Sequence, residues 1–199
     1  NFQQEIFELY HDLITFGTAA MFIEEDDEDF IKFSTRHIDE VYIAENDKGR
    51  IDTIYRKFKL SARAIVQKFG ASVSQDILVM EKKDPYKEIE IVHAVYPRTD
   101  FNPNKKDKKN MPFESVYMEY KNGNELSVSG YKEFPFVVPR YLKASHEIYG
   151  RSPAMTALPD VKMLNEMAKT TIKAAQKQVD PPLLVPDDGF LLPVRTVPA

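Results

Sequence analysis

Residues Tyr149–Gly189 read YGRSPAMTALPDVKMLNEMAKTTIKAAQKQVDPPLLVPDDG. The order is a Gly-Arg pair, a Ser-Pro helix start, a long amphipathic helix, a double-proline stop and an extended apolar run. Ser152 suits an N-cap, and Pro153 suits the first helical position, where its missing N–H leaves no bond unmade. Pro159 inside the pattern predicts a kink or a restart near Leu158, with Asp160 then well placed in a new first turn. From Pro159 to Val179 such a helix spans about 32 Å. Asp180, Pro181 and Pro182 end it.

Projected at about 100° per residue, this helix separates into two faces. Lys162, Glu166, Lys169, Lys173, Gln176 and Lys177 fall on one side. Val161, Leu164, Met167, Ala168, Thr171, Ile172, Ala175 and Val179 fall on the other. A broad apolar arc rich in small residues suits contact with more than one neighbouring copy. The plainer alternative is a surface helix lying on its own domain's core, with its lysines solvated. In a ring, Lys162, Lys169, Lys173 and Lys177 would stack into positive belts facing a lumen, touching phosphates in a sequence-independent, salt-dependent way.

Upstream, Phe2, Ile6, Leu9, Tyr10, Leu13 and Ile14 recur at helical spacing, so residues 2–16 are expected to be helical. Thr18–Glu25 is the first strand candidate, and the acidic run Glu24–Asp29 reads as a solvated loop without the spacing of a calcium loop. Arg36–Glu45 and Arg50–Lys59 alternate about Asn46-Asp47-Lys48-Gly49 and predict a hairpin. Ser61 caps a helix over 62–69 that stops at Gly70, and a second helical piece covers 74–83. Glu88–Pro97, Phe113–Lys121, Glu125–Gly130 and Phe134–Tyr141 read as strands, with Asn122-Gly123 turning the second into the third. Between them a polar loop bunches Lys105, Lys106, Lys108 and Lys109, read as a solvated tip. Strands segregated from helices make the fold class α+β.

Composition narrows the function. The 199 residues hold 43% hydrophobic and 12% aromatic side chains, enough to bury a core. No cysteine is present, so disulfides and thiolate sites are excluded. The net charge of −4 supplies no global basic field, and no apolar run approaches the ~18 residues of a membrane span. His11, His37, His93 and His146 are scattered without the spacing of a zinc helix, and His93 is expected to pack within its strand. No phosphate loop, nucleophile elbow or dinucleotide fingerprint appears. No catalytic residue, metal ligand or cofactor is assigned. The start at Asn1 and the stop after a proline-rich stretch read as a piece of a longer protein.

Phe134-Pro135-Phe136 leading to Arg140, Tyr149-Gly150-Arg151-Ser152-Pro153, Ala157-Leu158-Pro159-Asp160, Leu164-Asn165 and Asp180-Pro181-Pro182-Leu183 occur in that order. With His93–Arg98 they cover about a third of the chain. Together they resemble the portal, or head-to-tail connector, proteins of short-tailed, podovirus-type bacteriophages. The resemblance implies a dodecameric ring at the portal vertex of the virion, assembled in the host bacterial cytoplasm. Double-stranded DNA would pass through it non-specifically during packaging and ejection. The terminase motor, a tail adaptor and capsid proteins would be its partners, with no membrane involved.

On that reading residues 1–60 are a wing-like helix and hairpin, and 61–148 a stem segment and clip-like β region. Residues 149–180 are the long helix, and 181–199 a proline-rich stretch leading toward the tunnel loop. The alternative is a non-enzymatic virion adaptor without DNA contact.

Overall fold

The computed structural model describes residues 1–26, 30–102, 105 and 107–181. Asp27, Glu28 and Asp29 of the acidic run, Lys106 of the lysine loop and Pro182–Ala199 lie outside them, and so do Pro182 and Leu183 of the proline stop. The chain divides into two compact units, Asn1–Met155 and Thr156–Ala199.

The first unit is α+β, as its alternating patterns predict. It opens with α1 (Phe2–Phe16), β1 (Ala20–Asp26), β2 (Phe30–Arg36), β3 (Val41–Glu45) and β4 (Ile51–Ser61). Then come α2 (Ala62–Phe69), α3 (Gln75–Lys83), β5 (Glu88–Pro97), β6 (Phe113–Glu119), β7 (Glu125–Tyr131) and β8 (Phe136–Val137). Two antiparallel sheets result, one ordered β2-β1-β8 and the other β3-β4-β5-β6-β7.

One face of the five-stranded sheet is covered. At one end Ile43, Ile54 and Val95 pack against Phe22 and Phe136 of the small sheet. At the other, Phe58 and Ile91 pack against Ile65 of α2 and Ile77 of α3. Helix α1 seals the far side of the small sheet through Leu9, against Ala19 and Met21. The opposite face of the large sheet carries cross-strand ion pairs, Lys57–Glu90 at 3.2 Å and Lys59–Glu88 at 3.4 Å. Antiparallel sheets commonly divide this way, apolar inward and polar outward.

Two outer strands have some of their outward backbone groups occupied. Asn1 brackets Phe33 of β2, donating to its carbonyl at 2.7 Å and accepting from its amide at 3.3 Å. Glu5 accepts from the Thr35 amide at 2.5 Å. On the outer strand of the large sheet, the Tyr149 hydroxyl accepts from the Ile43 amide at 3.3 Å and donates to the Val41 carbonyl at 3.4 Å.

Three sequence expectations are corrected. Arg36–Glu45 is not one strand: β2 ends at Arg36, and a short 3-10 turn over Ile38–Glu40 precedes β3. His37 Nδ1 accepts the Asp39 amide at 3.2 Å there, diverting a donor that a ladder would need. Glu24–Asp26 belong to β1 rather than to a loop, because β2 folds back on them and sets Lys32 opposite Glu24. Of Phe134–Tyr141 only Phe136–Val137 form a strand, since Pro135 and Pro139 have no N–H to give a ladder.

Helix α4 (Pro153–Val179) is the remaining element. It does not restart at Pro159: one helix runs through that proline. Proline removes a single backbone bond there, to the Met155 carbonyl, and the turns on either side keep theirs. Its 27 residues span about 40 Å.

Candidate functional site

The residues that begin the long helix are built into the first unit one by one. Gly17 ends α1 with φ at +79°, a left-handed conformation that glycine adopts without penalty. A β-carbon on Gly17 would lie 2.5 Å from the Gly150 oxygen and 2.6 Å from the Ser152 nitrogen. A β-carbon on Gly150 would run into the Gly17 oxygen. Two backbones therefore touch where neither residue carries a side chain. The Gly150 amide donates to Thr18 Oγ1 at 2.7 Å, and Thr18 pairs with Arg140 in a β-bridge.

Ser152, almost fully buried, serves two helices at once. Its hydroxyl donates to the Thr15 carbonyl at 2.8 Å, in the last turn of α1. The same oxygen accepts the Met155 amide at 2.9 Å, capping α4 as expected. Arg151 bridges Leu142 through its backbone, and its guanidinium forks onto Glu147 with bonds of 2.9 and 2.5 Å. That fork holds the Glu147 carboxyl below its usual range.

The strand-like segment before this root is fastened to the β3–β4 hairpin. Arg140 pairs with Glu45 and donates to the Gly49 carbonyl at 3.1 Å and the Ile148 carbonyl at 3.1 Å. Lys143 bonds the same carboxylate at 2.6 and 2.8 Å. Lys143 first, then Arg140, keep Glu45 ionised well into acid. Tyr149, capping β3, adds a second fastening. Tyr149, Gly150, Arg151, Ser152 and Pro153 thus form a joint from which α4 departs. Asp180 follows α4, its amide donating to the Gln176 carbonyl at 3.0 Å, and Pro181 comes next.

No residue of α4 is buried. Leu164 and Ile172 are 60% exposed, Met167 59% and Val179 85%, values that belong to an apolar face with no described residue of its own unit over it. Thr170 and Thr171 donate their hydroxyls to the Glu166 and Met167 carbonyls, four residues back, turning their methyls outward. Lys162, Lys169, Lys173 and Lys177 are exposed on the same helix. Lys169 pairs with Glu166 at 3.1 Å, within its own face.

His93 packs inside its strand, as expected. It is 1% exposed, bonds Ser115 Oγ at 2.9 Å and stacks on Tyr117 at 3.9 Å. Burial drives its pKa down to about 3, so the ring is neutral. Among the described residues no cluster of three His, Asp or Glu side chains could hold a metal ion. No described helix is long and apolar enough to cross a membrane.

Thr15, Gly17, Thr18, Glu45 and Lys143 complete the joint, and local patterns did not single them out for it. Only Gly17 carried a signal, as a glycine just past a helical run. Thr15 and Thr18 meet Ser152 and Gly150 from 137 and 132 residues away, and Glu45 meets Arg140 and Lys143 from 95 and 98.

The model of the family described as bacteriophage head to tail connecting protein matches residues 1–199. The chain is 35% identical over 191 residues to a portal protein of Salmonella phage epsilon15, covering 94% of this chain and 34% of that protein. It is 30% identical over 202 residues to a probable portal protein of Bordetella phage BPP-1, covering 100% and 36%. The chain spans about a third of the length of these curated relatives.

Proposed function

The chain belongs to the family of bacteriophage head to tail connecting proteins, and from that premise we propose that it forms part of a structural subunit of a phage portal ring. The ring, dodecameric at full length, encloses a channel for double-stranded DNA during packaging and ejection. It docks the packaging motor, the tail adaptor and the capsid at the portal vertex of the virion. No residue has a catalytic role in this reading. The region near residues 1–60 serves as wing, 61–148 as stem segment and clip, and 149–180 as the long helix, with 181–199 leading toward the tunnel loop.

The observation that carries the proposal is α4: 27 residues, an apolar arc left open by the described residues of its own unit, and lysines on the other side. An uncovered apolar face on a long helix is stabilised by association, and identical copies arranged head to tail around an axis give each helix a neighbour on both sides. Lys162, Lys169, Lys173 and Lys177 then repeat by symmetry into belts facing the bore. Phosphate contacts from such belts are weak and salt-dependent, while the net charge of −4 per copy disfavours adhesion. That balance suits a conduit rather than a grip.

Electron microscopy of the full-length protein tests the reading. Twelve-fold rings with an open centre are expected. Solid or asymmetric particles at micromolar concentration overturn it and leave an adaptor without DNA contact.

A further inference from the structure

A row of side chains crosses the covered face of the large sheet between its two apolar clusters. Arg56, His93 and Tyr117 lie opposite one another on β4, β5 and β6 and so share that face. Phe22 of the small sheet closes over His93 at 5.7 Å, and Lys68 at the end of α2 lies 4.8 Å from the Tyr117 ring. Arg36, on β2, reaches over the Phe22 ring at 5.9 Å. Arg36, Arg56 and Lys68 therefore converge on one seam, where the small sheet and α2 come together over the large sheet. Their charges reach the same floor, since each of the three pushes His93 away from protonation, after burial itself.

This gathering is costly. Arg56 and Lys68 are both held below their ordinary basicity, by burial first; neighbouring cations add to this, and for Lys68 the Glu24 carboxylate opposes it. The charged groups facing the seam are Arg36, Arg56, Lys68 and Lys32, against the carboxylates of Glu24 and Glu40. Arg56 spends its guanidinium on Glu40, with Nε and a terminal nitrogen both at 2.8 Å. Lys32 faces Glu24 across the strands. Arg36 and Lys68 are left with aromatic rings and no ion pair among the described residues. The chain has 31 acidic residues against 27 basic ones, so partners were not scarce.

We propose that this seam is a binding site for a phosphate-class oxyanion, seated between Arg36 and Lys68 and backed by Arg56. A single planar carboxylate is satisfied by one guanidinium fork. Two cations without a direct ion pair, on different elements, one planar and one a point charge, suit instead a tetrahedral oxyanion whose oxygens point in several directions. Free phosphate and the phosphodiester of nucleic acid share that chemistry.

The test titrates the full 199-residue chain with inorganic phosphate at ionic strength held constant with chloride, following calorimetric binding and the melting temperature. Saturable binding and a rise in melting temperature are expected. Arg36→Gln and Lys68→Gln should each weaken it by about tenfold or more, the scale of a lost charge-assisted hydrogen bond. Lys48→Gln, on an exposed turn, should bind as the parent does. Lys68 is exposed as a residue although its ammonium is partly desolvated against the Tyr117 ring, so its variant keeps the fold and decides the matter if Arg36→Gln does not. A short DNA duplex that displaces phosphate identifies the phosphodiester as the source; a duplex that leaves it in place identifies the free ion. Absence of saturation, or phosphate binding unchanged in Lys68→Gln, overturns the site. A polyglutamate peptide that binds there when phosphate does not also overturns it.

Discussion

At Gly17 and Gly150 two backbone segments of the first unit touch, and the choice of residue is dictated by a missing atom. Adding one methyl at Gly150 forces it against the Gly17 oxygen, a backbone atom that cannot swing aside. Gly150→Ala should therefore cost about 1–3 kcal/mol, as overpacking does elsewhere. Chemical denaturation of the chain measures it, and an unchanged midpoint would refute the contact. His93 gives a second residue-level prediction. Its folded pKa of about 3 lies below the ordinary value of 6.5, so the unfolded chain takes up the proton first. Stability from the neutral ring is complete above pH 6.5 and falls as the pH drops toward 3, at up to about 1.4 kcal/mol per unit. Relative to His93→Leu, the parent should lose stability over that window. Denaturation midpoints of both proteins at about pH 7, 5 and 4 would show parallel curves if the ring titrated normally.

At the scale of elements, periodicity found what is local. Glu88–Pro97 and Phe2–Phe16 have the bounds their alternation and helical spacing predict, because each buries one clean face. Ser152 was legible as a cap because capping is chemistry within one turn. Its second bond, to Thr15, was not, for nothing near residue 152 announces residue 15. The division of Arg36–Glu45 was hidden for a related reason: which strand pairs with which is decided by the partner, not by the alternation. Helix α4 was the most readable element, although Pro159 suggested an interruption that one lost hydrogen bond does not enforce. The exposure of α4 yields a prediction of its own. Leu164→Glu with Ile172→Glu should change the unfolding free energy of this chain by no more than about 0.5 kcal/mol, as exposed substitutions do. In the full-length protein the same pair should prevent assembly, read by light-scattering mass. Rings of normal mass from that variant would show that the apolar arc is not where copies meet.

For the whole molecule the interesting quantity is charge distribution rather than net charge. A chain carrying −4 overall keeps cations in separate places, on the exposed side of α4 and in the seam beside His93. Replacing Lys169 and Lys173 together by glutamate should leave rings intact while impairing packaging or ejection of the genome, with the defect easing as salt is raised. Infectivity and packaged DNA per particle measure it, and normal transfer removes the lysine belts from the mechanism. The phage kinship could be read in Tyr149–Gly189 because a joint constrains many residues at once. A bore could not, since a lumen is a property of copies rather than of one chain.

The side chains stationed along β2 and β3 have a consequence for manufacture. A strand whose outward amides and carbonyls are partly answered, by Asn1 and Glu5 on one border and by Tyr149 on another, is a poor template for a stranger. Copies of this chain are thus hindered from pairing along β2 or β3, and on the proposed reading the helix is left as the surface through which subunits gather.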